Sequence, residues 1–425
     1  MGSLAKGLVQ LHSTMFFTAT VFSELVATYP TWDQLLVFLT SPEGGSLRVI
    51  TSPSSSDTLA IIRYTKDVSD FEKAHVPFFR SVVWDTVANR PVSVAPVKAL
   101  QGNPETGVSL RVTDFVDGTM FHAFCVDSKV RIATRTSLDA LGKFYSTRTF
   151  AELFGDAFPD LTEFLSSVLE NGYYASFVLQ HPEHRTVQKL VEPRLYVTYY
   201  GKVSPDGEVC MSALPSDWPE RLASYAPTVY DESIAYADSK EASNYLRNNS
   251  SGHLWQGVVF QDISSSRRWR LRNPAFVAVR ALRGGEANPM ERFVRLREQG
   301  LVKKYLEYFR EESDELWRFE QTLRLRTQEL YTAYNEMNKL KTKTMKQLPY
   351  CLRPHVYALH GAYLAGLPKD GSRAASVTPV LKETVVRYVN SMALPDMLKF
   401  LQGDRVPLVS ANVVTEAPVV ADSAT

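Results

Sequence analysis

Short runs rich in β-branched and aromatic residues recur through about the first 280 residues and then stop. They fall at 47–50, 59–64, 81–84, 110–112, 121–125, 174–179, 195–200 and 257–260, bounded by Gly, Pro, Asp or Ser. Runs of that length and make-up read as strands. Helical stretches at 138–145 and 161–170 lie between some of them without a regular strand–helix alternation. The pattern therefore predicts antiparallel sheets with packed helices. After Gly284-Gly285 helix formers dominate from Pro289 to about Gln347. Leu316, Phe319, Leu323, Leu330, Tyr334 and Met337 are spaced by three, four or seven, which is one apolar stripe on a long helix, suited to core packing. Helices are expected again at 355–364, 379–392 and 395–402, with a Gly-Ser-rich loop at 370–376. The expected class is α+β: a sheet domain over 1–285, an all-helical domain over 286–405 and an extended or disordered tail over 406–425.

Composition narrows the class of protein. Hydrophobic residues make up 44% and charged residues 22% of the 425, ordinary values for a soluble globular chain. The net charge of +1 selects no partner. Locally the balance differs. Between Ser264 and Arg310 the sequence holds Arg267, Arg268, Arg270, Arg272, Arg280, Arg283, Arg292, Arg295, Arg297, Lys303, Lys304 and Arg310 against Glu286, Glu291, Glu298 and Glu307. Such a stretch either attracts a polyanion or is a solvated surface balanced by acids elsewhere in space. Cys125, Cys210 and Cys351 are distant and odd in number, which argues for a reducing compartment and against a disulfide framework or a Cys-based zinc site. His12 and Glu24 interrupt the apolar N-terminus, and Lys6 stands where a myristoylation signal wants Ser or Thr. No membrane span and no signal peptide are expected. The sequons at Asn248 and Asn249 would matter only in a secretory compartment. No phosphate-binding Gly-rich loop, Gly-x-Ser-x-Gly elbow or His-Glu-x-x-His motif occurs.

Four stretches stand in a telling order. Arg80-Ser-Val-Val-Trp-Asp85 precedes Pro91-Val-Ser-Val-Ala-Pro-Val-Lys98. Phe115-Val-Asp117-Gly118-Thr119-Met precedes Arg131-Ile-Ala-Thr-Arg135. Then comes Tyr174-Ala-Ser-Phe177-Val178-Leu-Gln-His-Pro182-Glu-His-Arg185-Thr-Val187. The last is Gln256-Gly257-Val-Val-Phe260 with Arg270-Leu-Arg272-Asn-Pro-Ala-Phe276. In order and approximate spacing, over residues 30–285, they resemble the bacteriophage-type RNA ligases that repair tRNA. The counterparts there are an arginine-led strand with a following lysine, Lys-x-Asp-Gly-Ser, Phe-Glu-x-x-x-Pro-x-Asn-Arg-Ile-Val, and Glu-Gly-x-Val with Lys-x-Lys. The resemblance implies a ligase-like nucleotidyltransferase domain, unrelated to ATP-grasp, followed by a helical domain.

Every catalytic slot of that pattern is substituted. The lysine that would attack the α-phosphate of ATP is Phe115, and a phenyl ring has no lone pair to offer. The glutamate that helps hold the nucleoside is Val178, which accepts no hydrogen bond. The carboxylate associated with metal is Gln256, a poor Mg²⁺ ligand. The paired lysines are Arg270 and Arg272, which keep charge and grip phosphate bidentately but lack a compact ammonium. Arg80, Lys98, Asp117, Gly118, Arg185, Arg270 and Arg272 are what remains of a nucleotide- or phosphate-binding set. Asp117-Gly118 also reads as a turn that needs φ > 0 or a side-chain cap, and Arg185 as one half of a structural ion pair. His181 and His184, three apart beside Pro182, lack an evident third metal ligand.

A catalytically inactive RNA ligase-like protein is therefore expected, with no cofactor and no metal. It would be cytoplasmic or virion-associated, because phage-type ligases are common in viruses. It would serve as a structural scaffold or bind RNA, through residues 267–310 and Lys339, Lys341, Lys343 and Lys346, or bind protein partners. An active ligase using ATP and Mg²⁺, with Lys98 as a relocated nucleophile, is the alternative; a nucleotide sensor without chemistry is a third.

Overall fold

The computed structural model describes residues 17–52, 57–105, 107–230, 252–367 and 379–404. The Gly-Ser-rich stretch 370–376, the tail beyond 405, the sequons at Asn248 and Asn249, and Gly2, Lys6 and His12 lie outside these residues. The chain divides into two compact units, Met1–Ala278 and Val279–Thr425, with the division inside a helix, Pro274–Arg283.

The first unit is built on three sheets. A four-stranded sheet runs β2 (Arg48–Thr51), β3 (Leu59–Arg63), β4 (Val82–Asp85), β5 (Arg90–Val94). A six-stranded sheet has the order β1 (Phe17–Ala19), β12 (Val209–Ser212), β11 (Arg194–Val203), β10 (Tyr173–Gln180), β8 (Thr119–Val126), β9 (Lys129–Thr134). A five-stranded sheet has the order β13 (Val229–Tyr230), β7 (Leu110–Asp114), β14 (Gly257–Asp262), β15 (Arg268–Arg272), β6 (Leu100–Gln101). All described ladders are antiparallel except β15 with β6.

Alternation along the strands assigns the faces. In β8, Phe121, Ala123 and Cys125 pack with the helices Phe150–Ala157 and Leu161–Val168. Phe124, on the other face, joins Trp84, Val94 and Tyr174 in the core shared with the four-stranded sheet. The six-stranded sheet is thus covered on both faces, which is why its central strands are apolar on both sides. A register shift opposite Ser176 and Phe177 makes Thr198 the extra residue of a bulge in β11.

Residues 138–145, expected to be helical, are irregular instead. Leu138 bridges Ala133, Asp139 pairs with Arg131 at 2.8 Å, and Asp139, Ala140 and Tyr145 have positive φ of 54°, 53° and 61°. Tertiary contacts outweigh the helix propensity of Leu-Asp-Ala-Leu. The helix at Phe150–Ala157 carried a legible signal, the capping box Thr149-x-x-Glu152.

The second unit is helical: Pro289–Glu298, Val302–Tyr308, Ser313–Tyr334, Arg353–Ala365, Lys382–Asn390 and Leu394–Gln402. Gly300, at φ 68°, ends the first of these and splits the expected continuous run. Leu316, Leu323, Leu330 and Tyr334 of the stripe are buried, Phe319 is half-buried, and Met337 falls in a π-helical turn, Asn335–Lys339. Among the described residues no helix is long and apolar enough to cross a membrane.

Candidate functional site

The five-stranded sheet gathers segments that lie far apart in sequence. Phe115 follows β7, and its N–H donates to the Gly257 carbonyl at 2.9 Å. Gln256 leads into β14, whose Gly257 sits opposite Arg272 of β15. Arg270 sits opposite Val259 on one side and Gln101 of β6 on the other, just beyond Lys98. Phe115, Gln256, Arg270, Arg272 and the Lys98 segment thus meet at one sheet. The Arg272 guanidinium lies 5.7 Å over the Phe115 ring. Gln256 Oε1 is buried without a hydrogen-bond partner among the described residues.

Gly118, Val178, Asp117 and Arg185 form a second group on the six-stranded sheet. A Cβ on Gly118 would stand 2.3 Å from the Leu179 carbonyl oxygen and 2.9 Å from Val178 Cγ1, and its φ of 152° also favours glycine. The Asp117 carboxylate accepts from the Thr186 hydroxyl at 2.5 Å and the Val187 N–H at 3.2 Å. The neighbouring Arg185 donates from Nε to the Val187 carbonyl at 3.0 Å. These contacts tie the turn at 117–118 to the segment after Pro182.

Lys98 Nζ lies 3.2 Å from the centre of the Phe71 ring and 5.8 Å from that of Tyr64. Those are contacts an ammonium makes with π faces. Arg135 lies 5.5 Å from the same Tyr64 ring and donates to the Arg80 carbonyl at 3.3 Å. Arg80 is half-buried; burial pushes its guanidinium down to about 10, and Arg268, Arg135 and Arg270 add repulsion. Arg111 is pushed to about 10 in the same way, by burial. Both stay cationic at neutral pH. Arg268 lies 5.4 Å over the ring of Tyr199, whose hydroxyl donates to Gln261 Oε1. Burial raises that phenol to about 12.

Arg111 did not stand out in the sequence, and Arg135 and Arg268 appeared there only inside a longer motif and the basic stretch. A signal existed: Arg268, Arg270 and Arg272 alternate along β15 and so share one face.

Arg267, Arg283, Arg292, Arg295 and Arg297 of the basic stretch 264–310 meet carboxylates in space. Arg283 and Arg292 both reach Glu312, the latter at 2.7 Å. Arg295 pairs with Glu286 at 2.6 Å, Arg297 with Glu320 at 3.3 Å, and Arg267 with Glu105 and Asp262 at 3.2 and 3.3 Å.

Asp156, His181 and Glu183 approach one another closely enough to suggest a metal. Arg148 already joins Asp156 at 2.6 Å and Glu183 at 3.0 Å. His181 Nδ1 accepts the Glu183 N–H at 3.1 Å, which assigns the ring proton to Nε2, the atom a metal would need. His184 uses both nitrogens, on Thr119 Oγ1 at 2.9 Å and the Phe144 carbonyl at 2.8 Å. The cluster is an ion-pair network.

No known family matches this chain, and no curated protein does. Solved structures give partial likenesses. An archaeal ATP-dependent RNA ligase aligns at 15% identity over 70% of this chain and 77% of that chain, with a TM-score of 0.39. A mutant Naegleria gruberi RNA ligase with ATP and Mn aligns at 13% over 40% and 51%, TM-score 0.29. A putative ATP-dependent DNA ligase from Aquifex aeolicus aligns at 14% over 67% and 76%, TM-score 0.32. The chain spans about half the length of that Naegleria ligase. At such scores no activity is carried across; it has to come from the side chains. The chain is α+β, antiparallel sheets with helices followed by a helical region.

Proposed function

We propose that this protein is a non-ligating relative of RNA ligases that binds RNA as a scaffold, in the cytoplasm or a virion. The observation that carries the reading is Phe115 beneath Arg272. Where covalent nucleotidyl transfer needs an amine, the chain presents a ring, and a guanidinium covers it. The flanking residues agree. Gln256 and Val178 supply no carboxylate, so a Mg²⁺–ATP complex does not fit this donor set. Arg270 and Arg272 retain charge suited to phosphate.

Lys98 is the remaining amine of the resemblance, and its Nζ lies against the rings of Phe71 and Tyr64. The test is incubation with α-labelled ATP and Mg²⁺ or Mn²⁺, followed by denaturing electrophoresis. No covalent label is expected, with or without Lys98→Ala. Acid-labile label on the unaltered chain that disappears in Lys98→Ala would overturn the reading in favour of an active ligase. Binding of a single-stranded RNA oligomer supplies the positive arm, and its absence removes the RNA part of the proposal.

A further inference from the structure

Helix Arg353–Ala365 in the second unit is apolar on both sides. Val356 and Leu359 are buried on its inner side, and His355 packs edge-on against Phe400 with 5.2 Å between ring centres. Its outer side carries Pro354, Tyr357, Ala358, Gly361, Leu364 and Ala365, spaced by one, three or four and all exposed. Tyr357 is 72% and Leu364 50% exposed. From Pro354 to Leu367 the sequence has no Asp, Glu, Lys or Arg. Other helices of the unit turn charges to solvent, as at Lys303, Lys304, Arg318, Arg324, Lys382 and Lys399.

A helix that is apolar all round belongs in an interior. One exposed Leu or Tyr is ordinary, whereas a contiguous uncharged face marks an interaction surface. Gly361 is the second sign. It stands in the body of the helix, where glycine costs backbone entropy. A Cβ there would meet nothing within 4 Å, and its φ is not in the left-handed region. Nothing inside this chain therefore requires glycine at 361, while bare backbone lets another helix approach closely.

We propose that this face pairs with the same face of a second copy of the chain, in a two-fold dimer with the two helices antiparallel. The face offers no charge for a different partner to complement, and it complements itself. With the two-fold axis at Gly361, Tyr357 of one copy falls beside Ala365 of the other, and Leu364 beside Ala358. Large side chains meet small ones, and no like charges are brought together. A pair of helices this short covers on the order of 1,000 Å² in all, the lower end for specific interfaces, so the dimer is reversible at micromolar concentrations. The inference goes beyond the RNA reading and uses none of its residues.

The experiment is sedimentation equilibrium of the full chain across a micromolar concentration series, with thermal melts of dilute samples. A monomer–dimer equilibrium is expected. Tyr357→Glu and Leu364→Glu should each weaken it about tenfold or more, because each buries a charge in an uncharged contact. The melting temperature of the monomer should hold, because both side chains face solvent there. Ala358→Lys should weaken pairing likewise. Mixing the Ala358→Lys chain with the Leu364→Glu chain should restore it as a heterodimer, because positions 358 and 364 oppose each other across the antiparallel contact. A chain that stays monomeric throughout overturns the proposal and leaves the face to a different partner. A dimer that survives both glutamate variants lies elsewhere on the molecule and overturns it too. Where a variant melts lower, the mixture decides: a recovered dimer sustains the proposal, and its absence overturns it.

Discussion

His122, in the middle of β8, has both ring nitrogens on serine hydroxyls: Nδ1 on Ser93 and Nε2 on Ser81, each at 2.9 Å. It is fully buried. Burial first, then the charges of Arg80 and Arg135, push its pKa down to about 3. The unfolded chain takes up this proton near pH 6.5, about the unperturbed value. Between those two values the unfolded state binds more protons. The neutral histidine's contribution is therefore fully present above about pH 6.5 and is lost as pH falls toward 3. Urea unfolding across that window should show this residue contributing a loss on the order of 1 kcal/mol per pH unit. In His122→Gln the slope should be shallower by about that amount; an unchanged slope would mean that other groups cause the acid sensitivity. Nothing in the spacing of residues around His122 announced this, because Ser81 and Ser93 reach it from neighbouring strands. Phe115 is the opposite case, since its chemistry is legible from the residue type alone.

At the scale of elements, one carboxylate ties together three segments of the second unit. Glu312, in the turn before helix Ser313–Tyr334, accepts from Arg283, from Arg292 at 2.7 Å and from the Tyr305 hydroxyl at 2.6 Å. Arg292 is 1% and Arg283 4% exposed. Removing the acid takes the carboxylate from two buried cations, a loss of about 3–5 kcal/mol. Glu312→Gln should show that drop in urea denaturation followed by circular dichroism, and Arg283→Met with Arg292→Met in the same chain should recover much of it. A drop below about 1 kcal/mol would mean water reaches the arginines and screens them. The element boundaries divide by cause. The stripe from Leu316 to Tyr334 was legible because a helix repeats its face locally. The loop at 138–145 was not, because Arg131 and Ala133, across the chain's turn, decide the backbone of Asp139 and Leu138.

For the whole molecule, a net charge of +1 means that any attraction to a polyanion is local. If the face carrying Arg270 and Arg272 contacts RNA, binding falls steeply with salt. Arg270→Glu with Arg272→Glu should lower the slope of log affinity against log salt by about 1.4, two single-strand phosphate contacts. Filter-binding across a salt series measures it, and an unchanged slope moves the contact elsewhere. The sequence by itself determined the α+β class, through periods of two and of 3.6, and the lack of a nucleophile at position 115, because no fold gives a phenyl ring an amine's lone pair. Only the tertiary structure decided which charges matter. Arg283, Arg292, Arg295 and Arg297 lie in the most basic stretch and meet carboxylates, while among the described residues no carboxylate pairs with Arg80, Arg111, Arg135 or Arg268. Electrostatic pairing depends on distance and burial in space, and neither can be read along a chain.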